Sequence, residues 1–241
     1  MVKSQVSDAA LVMRRREQIV GAAVGLFASQ GYYRTTIQQI ARRAGISTGL
    51  VYQYAETKED LLLLALMRVM EHFRHELEEA APARDPLARL HSALDTYCRV
   101  VDRNRDAAIL AYRSTMSLPR HYRDYVKQAE LDTNELLASR LRDCIAAGLF
   151  RDVDCEMVTY RLVMHAHTWS LKYWRLAQVT NLDAYIAEGF DFFVNAMATP
   201  RGRAQYQRFL KSRSRDVSDS RLPDTAAADR PGVHAGLVPD S

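Results

Sequence analysis

A predicted helix near residue 50 has an outer face made of short polar side chains and one glycine. Its outward residues are Ser47, Thr48, Gly49, Tyr52 and Gln53. Such a face can enter the major groove of DNA, which is about 12 Å wide and displays hydrogen-bonding base edges. The amide of Gln53 can read a base edge, and nearby hydroxyls and cations suit phosphate oxygens. The candidate phosphate contacts are Thr35, Thr36, Thr48, Tyr52, Tyr54 and Lys58, and Arg43 completes the DNA-contacting set.

Two short helices joined by a glycine-containing turn would position that face. Thr36 is a candidate N-cap for the first helix, and Gly45 ends it. Ser47 or Thr48 can cap the second helix. An amphipathic helix over residues 13–30 precedes both, because its apolar residues recur at i, i+3, i+4, i+7 and i+8. Length, turn chemistry and apolar spacing together predict a helix-turn-helix.

The run from Gly31 to Leu62 resembles the signature of the TetR family of bacterial transcriptional regulators. It reads Gly-Tyr-Tyr-Arg-Thr-Thr-Ile-x-x-Ile-Ala-x-x-Ala-Gly-Ile-Ser-x-Gly-x-Val-Tyr-x-Tyr-x-x-x-Lys-Glu-Asp-Leu-Leu. The chain departs from the pattern at Ala55. The family usually has phenylalanine at this position, or an aromatic residue one position later. The resemblance implies a homodimer whose heads bind double-stranded DNA. The alternative is a trihelical unit used only for protein packing, which has no need of a polar, glycine-containing face.

Apolar periodicity and punctuation predict helices along the rest of the chain. One opens near Thr57 and extends to about Glu79, and Pro86 starts the next. Others are expected near residues 104–117, 120–147, 154–178 and 182–197. No segment alternates with period two, so the predicted fold is all-α. It has an N-terminal three-helix DNA-binding head with the helix-turn-helix, followed by a larger helical ligand-binding and dimerisation domain.

These elements predict four regions. Residues 1–12 are expected to form a flexible arm, residues 13–58 the helix-turn-helix domain, and residues 59–200 the effector-binding and dimerisation domain. Residues 201–241 are predicted to be a tail, disordered from about residue 212 because it has few large apolar groups.

The resemblance also implies that the body binds a small effector and that its last two helices pair with a second subunit. The most pocket-like aromatic and basic set is Tyr112, Arg113, Met116, Trp169, Tyr173, Trp174 and Arg175. It could line an apolar cavity with a positively charged mouth, suited to an acyl chain joined to an anionic headgroup. The two tryptophans also weakly resemble those of regulators that sense acyl-coenzyme A. The alternative is that they simply fill the core or the dimer interface.

Charge distribution and residue usage exclude several other classes. Residues 1–58 hold eight Lys/Arg against three Asp/Glu, whereas residues 59–197 hold seventeen against twenty-one, so a basic head precedes an acidic body.

The longest apolar run, residues 61–67, is too short to cross a membrane, which predicts a cytoplasmic protein. His165 and His167 would point to nearly opposite faces of one helix, so no metal or other cofactor is expected. No catalytic motif is visible, so an enzyme is not expected. The resemblance implies a repressor that a small effector releases from its operator, and the alternatives are a helical adaptor that does not bind DNA or an enzyme.

Overall fold

The computed structural model describes residues 9–79 and 84–219, and this part of the chain contains helices but no β-sheet. Phe150 and Ala198 form one isolated bridge. The helices are α1 (Ala9–Gln30), α2 (Ile37–Arg43), α3 (Thr48–Tyr52), α4 (Lys58–Glu78), α5 (Pro86–Arg103), α6 (Arg105–Ser114), α7 (Arg120–Ala146), α8 (Cys155–Leu171), α9 (Tyr173–Val179), α10 (Leu182–Met197) and α11 (Pro200–Asp219). A 3₁₀ turn, Thr115–Ser117, follows α6. The all-α prediction is therefore confirmed.

Helices α1 and α11 extend further than the sequence indicated. Helix α1 begins at Ala9, so residues 9–12 of the expected flexible arm are helical, and Val12 packs against the core. Helix α11 continues to Asp219, which corrects the expectation of disorder from residue 212. Residues 1–8 and 220–241 lie outside the described residues. The segment from Gln207 belongs to a separate compact unit, in which the Arg213 guanidinium lies 5.8 Å from the centroid of the Phe209 ring.

Side-chain caps begin the helices of the head where the sequence predicted them. Thr36 and Gln39 form a reciprocal capping box at α2. The Ser47 hydroxyl accepts a hydrogen bond from the Leu50 N–H at 3.1 Å and so caps α3. Gly45 lies between the two helices with φ of 65°, a left-handed conformation that glycine adopts without a steric penalty. The turn at Gly45 therefore sets the direction in which the chain enters α3.

The head and the body share one apolar cluster. Ile19 and Phe27 of α1, Ile40 of α2 and Val51 of α3 are almost completely buried in it. The body supplies three more members of the same cluster, which are Leu110 of α6, Val126 of α7 and Leu118 in the segment between these helices. Because these side chains are removed from water together, the head cannot be displaced far from α6 and α7 without exposing apolar surface.

Asp60 connects the start of α4 to α7. Its Oδ2 accepts hydrogen bonds from the N–H groups of Glu56 at 3.0 Å and Thr57 at 2.9 Å. Its Oδ1 accepts one from the Tyr122 hydroxyl at 2.5 Å, and this bond raises the pKa of Tyr122 to about 12. Only 6% of Asp60 is exposed. One buried carboxylate thus caps α4 and holds the beginning of α7.

Replacing Asp60 by alanine is expected to lower the free energy of unfolding by about 2–4 kcal/mol, because a helix cap is lost and buried donors lose their acceptor. Urea denaturation measures this loss. Asp124→Ala is the control, since that exposed carboxylate only pairs with Lys127 at 3.8 Å and should change the free energy by less than about 0.5 kcal/mol. Equal losses in the two variants would contradict the role given to Asp60.

Candidate DNA interface and effector region

Helix α3 presents the polar face that the sequence predicted. Val51 is fully buried and fixes the rotation of the helix about its axis. The opposite side exposes Ser47, Gly49 and Gln53. Tyr52 on the same side is 45% exposed. Thr48 is partly exposed. No side chain or backbone atom lies within 4 Å of the position that a Cβ would take at Gly49, so another molecule can approach the backbone there.

Neighbouring elements add cations and amides around α3. Arg43 and the cap residue Thr36 are exposed, as a DNA-contacting surface requires. Arg34, Gln38 and Arg42 are exposed as well, although they were not among the predicted DNA contacts. The helical spacing of α2 could have identified Gln38 and Arg42, because they lie four residues apart on the side opposite the buried Ile40 and Ala41. These residues enlarge the candidate interface beyond the recognition helix itself.

Two of the predicted phosphate contacts have buried side chains. Thr35 is 1% exposed, and its hydroxyl donates to the Gly31 carbonyl at 2.8 Å while accepting from the Gln30 amide at 3.2 Å. Tyr54 is 3% exposed and belongs to the core cluster of the head. The expectation for these two side chains is corrected, because the turn before α2 and the packing of α3 use them internally.

Lys58 has a structural role beside its candidate role toward phosphate. Its ammonium donates to the backbone carbonyls of Thr35 at 2.9 Å and Tyr33 at 3.3 Å, and it lies 4.4 Å from the centroid of the Tyr32 ring. Since an ammonium has three donors, one remains for a phosphate oxygen. Tyr32 in turn donates to the Glu59 carboxylate at 2.7 Å. Lys58 therefore stabilises the loop before α2 from the first turn of α4.

His167 lies in the body between two tyrosine hydroxyls. Its Nδ1 is 2.7 Å from Tyr112 Oη, and its Nε2 is 2.9 Å from Tyr97 Oη. Burial lowers the pKa of His167 to about 4, so the ring is neutral near pH 7. Tyr112 also donates to Met164 Sδ at 3.3 Å. Because the hydroxyl proton of Tyr112 points to Met164, the Tyr112 oxygen accepts a hydrogen bond from the Nδ1–H of His167. The Nε2 of His167 then has no proton and accepts a hydrogen bond from the Tyr97 hydroxyl.

The predicted effector set has one buried member and six exposed members. Trp169 is buried, and its indole N–H donates to the Asp102 carboxylate at 2.7 Å. Tyr173 lies beside it, with 5.7 Å between the ring centroids. The exposed members are Tyr112, Arg113, Met116, Tyr173, Trp174 and Arg175. None of the seven predicted residues lines the cavity of about 890 Å³ between α1, α4 and α7. Their joint contact with an effector therefore remains a prediction.

His165 and His167 belong to separate environments, as their spacing on α8 predicted. His165 stacks on the Tyr185 ring with 4.3 Å between centroids and 3° between planes. Burial lowers its pKa also. In residues 9–79 and 84–219, no three His, Cys, Asp or Glu side chains lie together in a way that could hold a metal ion. None of the helices described is long and apolar enough to cross a membrane.

Sequence and structure comparisons identify the family. The model of the bacterial regulatory proteins of the tetR family matches residues 19–65, and that of the tetracyclin repressor-like C-terminal domain matches residues 83–176. HTH-type transcriptional regulator HbdR of Aromatoleum sp. (strain CIB) is 42% identical over 212 residues, which cover 88% of this chain and 93% of the relative. HTH-type transcriptional repressor KstR2 of Rhodococcus jostii (strain RHA1) is 24% identical over 189 residues, which cover 77% of this chain and 92% of the relative.

A solved structure shares the fold. The structure of AibR in complex with isovaleryl coenzyme A and operator DNA matches with a TM-score of 0.61 and 22% identity, and the match covers 73% of this chain and 95% of that chain. The chain thus has the architecture of helix-turn-helix regulators, and it belongs to the TetR family. Members of this family are DNA-binding transcriptional regulators, not enzymes. They bind operator DNA and effector ligands and are typically dimeric.

Gln53→Ala is expected to change which bases the protein prefers, because an exposed amide at the end of α3 can pair with a base edge. The loss at the affected position should be about 1–3 kcal/mol. Selection of bound sequences from a randomised duplex library measures it. Gln128→Ala on α7, which removes an exposed amide far along the sequence from the head, is the control. If Gln53→Ala selects the same consensus as the unsubstituted protein, Gln53 does not read bases.

The buried His167 predicts a stability loss in mild acid. Its folded pKa of about 4 lies below the ordinary value near 6.5, so between these pH values the unfolded chain binds a proton that the folded chain does not. The free energy of unfolding should therefore fall by up to about 3 kcal/mol as pH falls through this window. His167→Gln should remove this part of the pH dependence, whereas His121→Gln, at an exposed position, should keep it. Identical pH profiles for the two variants would disprove the assignment.

Proposed function

We propose that the protein is a ligand-released transcriptional repressor in which α3 enters the major groove of an operator. The observation that carries the proposal is the combination of a buried Val51 with an exposed polar side at Ser47, Gly49 and Gln53. The short hydrogen-bonding side chains on this side suit the base edges that the groove displays. Thr36, Arg43, Tyr52 and Lys58 lie around it as phosphate contacts. Repression is supported by the name of the relative KstR2, which is a transcriptional repressor.

A homodimer is the second part of the proposal. Much of the apolar surface expected to pair with a second subunit is packed within the single chain, including Trp169 and Phe190. Apolar side chains nevertheless remain exposed on α8 and α10, namely Met157 at 51%, Met164 at 43% and Phe192 at 71%. Burying them against a second copy would remove them from water. Two heads would then read a pseudo-palindrome with half-sites about 34–36 Å or a multiple apart.

The third part is a small hydrophobic or acyl-coenzyme A-type effector that acts in the cytoplasm on the DNA-bound form. AibR, which has the same fold, was solved with isovaleryl coenzyme A and operator DNA, and this likeness supports a thioester as a candidate. An effector releases DNA only if it binds the DNA-free arrangement of the heads more tightly than the DNA-bound one. The shared core of α1, α6 and α7 gives a body ligand a physical route to the heads.

Fluorescence anisotropy with a duplex from the promoter region of the protein's own gene tests the proposal. Binding should be at least about a thousandfold tighter than to an unrelated duplex and should weaken steadily as salt rises. Isovaleryl and long-chain acyl-coenzyme A are then added to the complex. Release by a thioester supports the repressor with its effector class; selective binding that no thioester disturbs overturns the thioester. The absence of selective, salt-dependent binding overturns the regulator itself.

A further inference from the structure

The last helix, α11, carries a run of cations that the candidate DNA interface does not include. From Gln207 to Arg215 the sequence holds four Lys/Arg and no Asp/Glu. Arg208, Lys211 and Arg213 are exposed. Among the side chains that the structure describes, no carboxylate pairs with Arg208 or Lys211. Cations without a counter-ion in their own chain create a positive potential, so this part of α11 attracts anions.

Three of these cations occupy one side of the helix. Positions 208, 211 and 215 follow the spacing i, i+3 and i+7, which places them on one helical face. We call Arg208, Lys211 and Arg215 the cationic row. It extends over seven residue steps, or about 10 Å at 1.5 Å per residue. Arg213 lies outside the row, with its guanidinium 5.8 Å from the centroid of the Phe209 ring.

The length of the cationic row suits the phosphates of one DNA strand. Successive phosphates of a strand advance about 3.4 Å along the duplex axis, so a row of about 10 Å faces about three of them. Gln207, four residues before Lys211, and Ser212, four residues after Arg208, are exposed beside the row. Arginine, lysine, serine and glutamine side chains all donate to phosphate oxygens. This side of α11 therefore complements a regular chain of phosphates.

A lipid surface suits this segment less well than a nucleic acid. A helix that lies on a membrane needs a broad apolar face opposite its charges. The large apolar side chains described from residue 207 onward are Phe209 and Leu210. Phe209 is half-buried with the Arg213 guanidinium near its ring, and Leu210 is only 37% exposed. Two such side chains do not form an apolar face, whereas the charges alone are sufficient for DNA.

Chain length keeps the cationic row away from the operator half-site of its own subunit. Val126 of α7 belongs to the core cluster of the head, and Ala146 ends α7 about 30 Å further along the helix. Thr199, just before α11, donates its N–H to the Leu149 carbonyl at 3.0 Å, close after the end of α7. From Thr199 to Arg215 a helix extends by about 24 Å. The row therefore ends short of the head whatever direction α11 takes.

We propose that the cationic row of α11 binds the phosphate backbone of a second DNA duplex, one that the recognition helices α3 do not hold. Contacts to phosphates position a protein on DNA without reading its sequence, so this second duplex has no fixed sequence. With the operator contact, which rests on the proposed function, the row joins two segments of DNA through one protein. The contact of the row itself requires neither the operator nor an effector.

Capture of a second duplex tests the row. Beads carry one duplex of random sequence, the full chain is added, and a fluorescent duplex of unrelated sequence is then captured at several salt concentrations. The double variant Arg208→Gln/Lys211→Gln should capture at least about tenfold less and should lose about 1 unit of salt slope for each cation removed. Arg203→Gln/Arg213→Gln is the matched control, because it removes two exposed cations of α11 that lie outside the row. The control should capture as the unsubstituted protein does.

The outcomes distinguish the row from other partners and from the proposed repressor. Equal capture by the two double variants overturns the inference. Binding to anionic phosphatidylglycerol vesicles without capture of a second duplex overturns DNA as the partner in favour of a lipid surface. A row variant that changes the sedimentation of the protein without DNA, but not the capture, shows that the row joins copies of this chain. Selective operator binding is measured separately by anisotropy, and its absence contradicts the repressor while the capture result still decides the row.

Discussion

The carboxylate of Asp60 is the interaction on which the junction depends. Its two oxygens accept from the backbone just before α4 and from Tyr122 at the start of α7. The backbone that it holds, Glu56 and Thr57, follows the recognition helix after only a few residues. A displacement of α7 therefore acts on the end of α3 through one buried group. Because a hydrogen bond weakens steeply with distance and angle, this connection is either made or broken rather than gradually stretched.

A second hydroxyl contact supports the same junction. Tyr33, in the loop between α1 and α2, shares a hydrogen bond of 2.9 Å with Ser117 in the turn after α6. Leu118 follows that turn directly and is buried in the core of the head. The hydrogen bond of Ser117 and the burial of Leu118 thus hold the same segment between α6 and α7. The apolar part supplies most of the stability, and the hydrogen bonds determine the relative orientation, since only they require particular directions.

The sequence was most informative where local chemistry decides the structure. Thr36 and Ser47 cap helices as predicted, and α4 begins next to Thr57 as predicted, because capping depends on residues within one turn of each other. Thr35 and Tyr54 were assigned to phosphate because their hydroxyls suit that role, yet burial depends on residues distant in sequence. Trp169 shows the same limit, since its partner Asp102 lies on another helix. The cavity could not be predicted at all, because it is a space left between three helices whose separation no local pattern encodes.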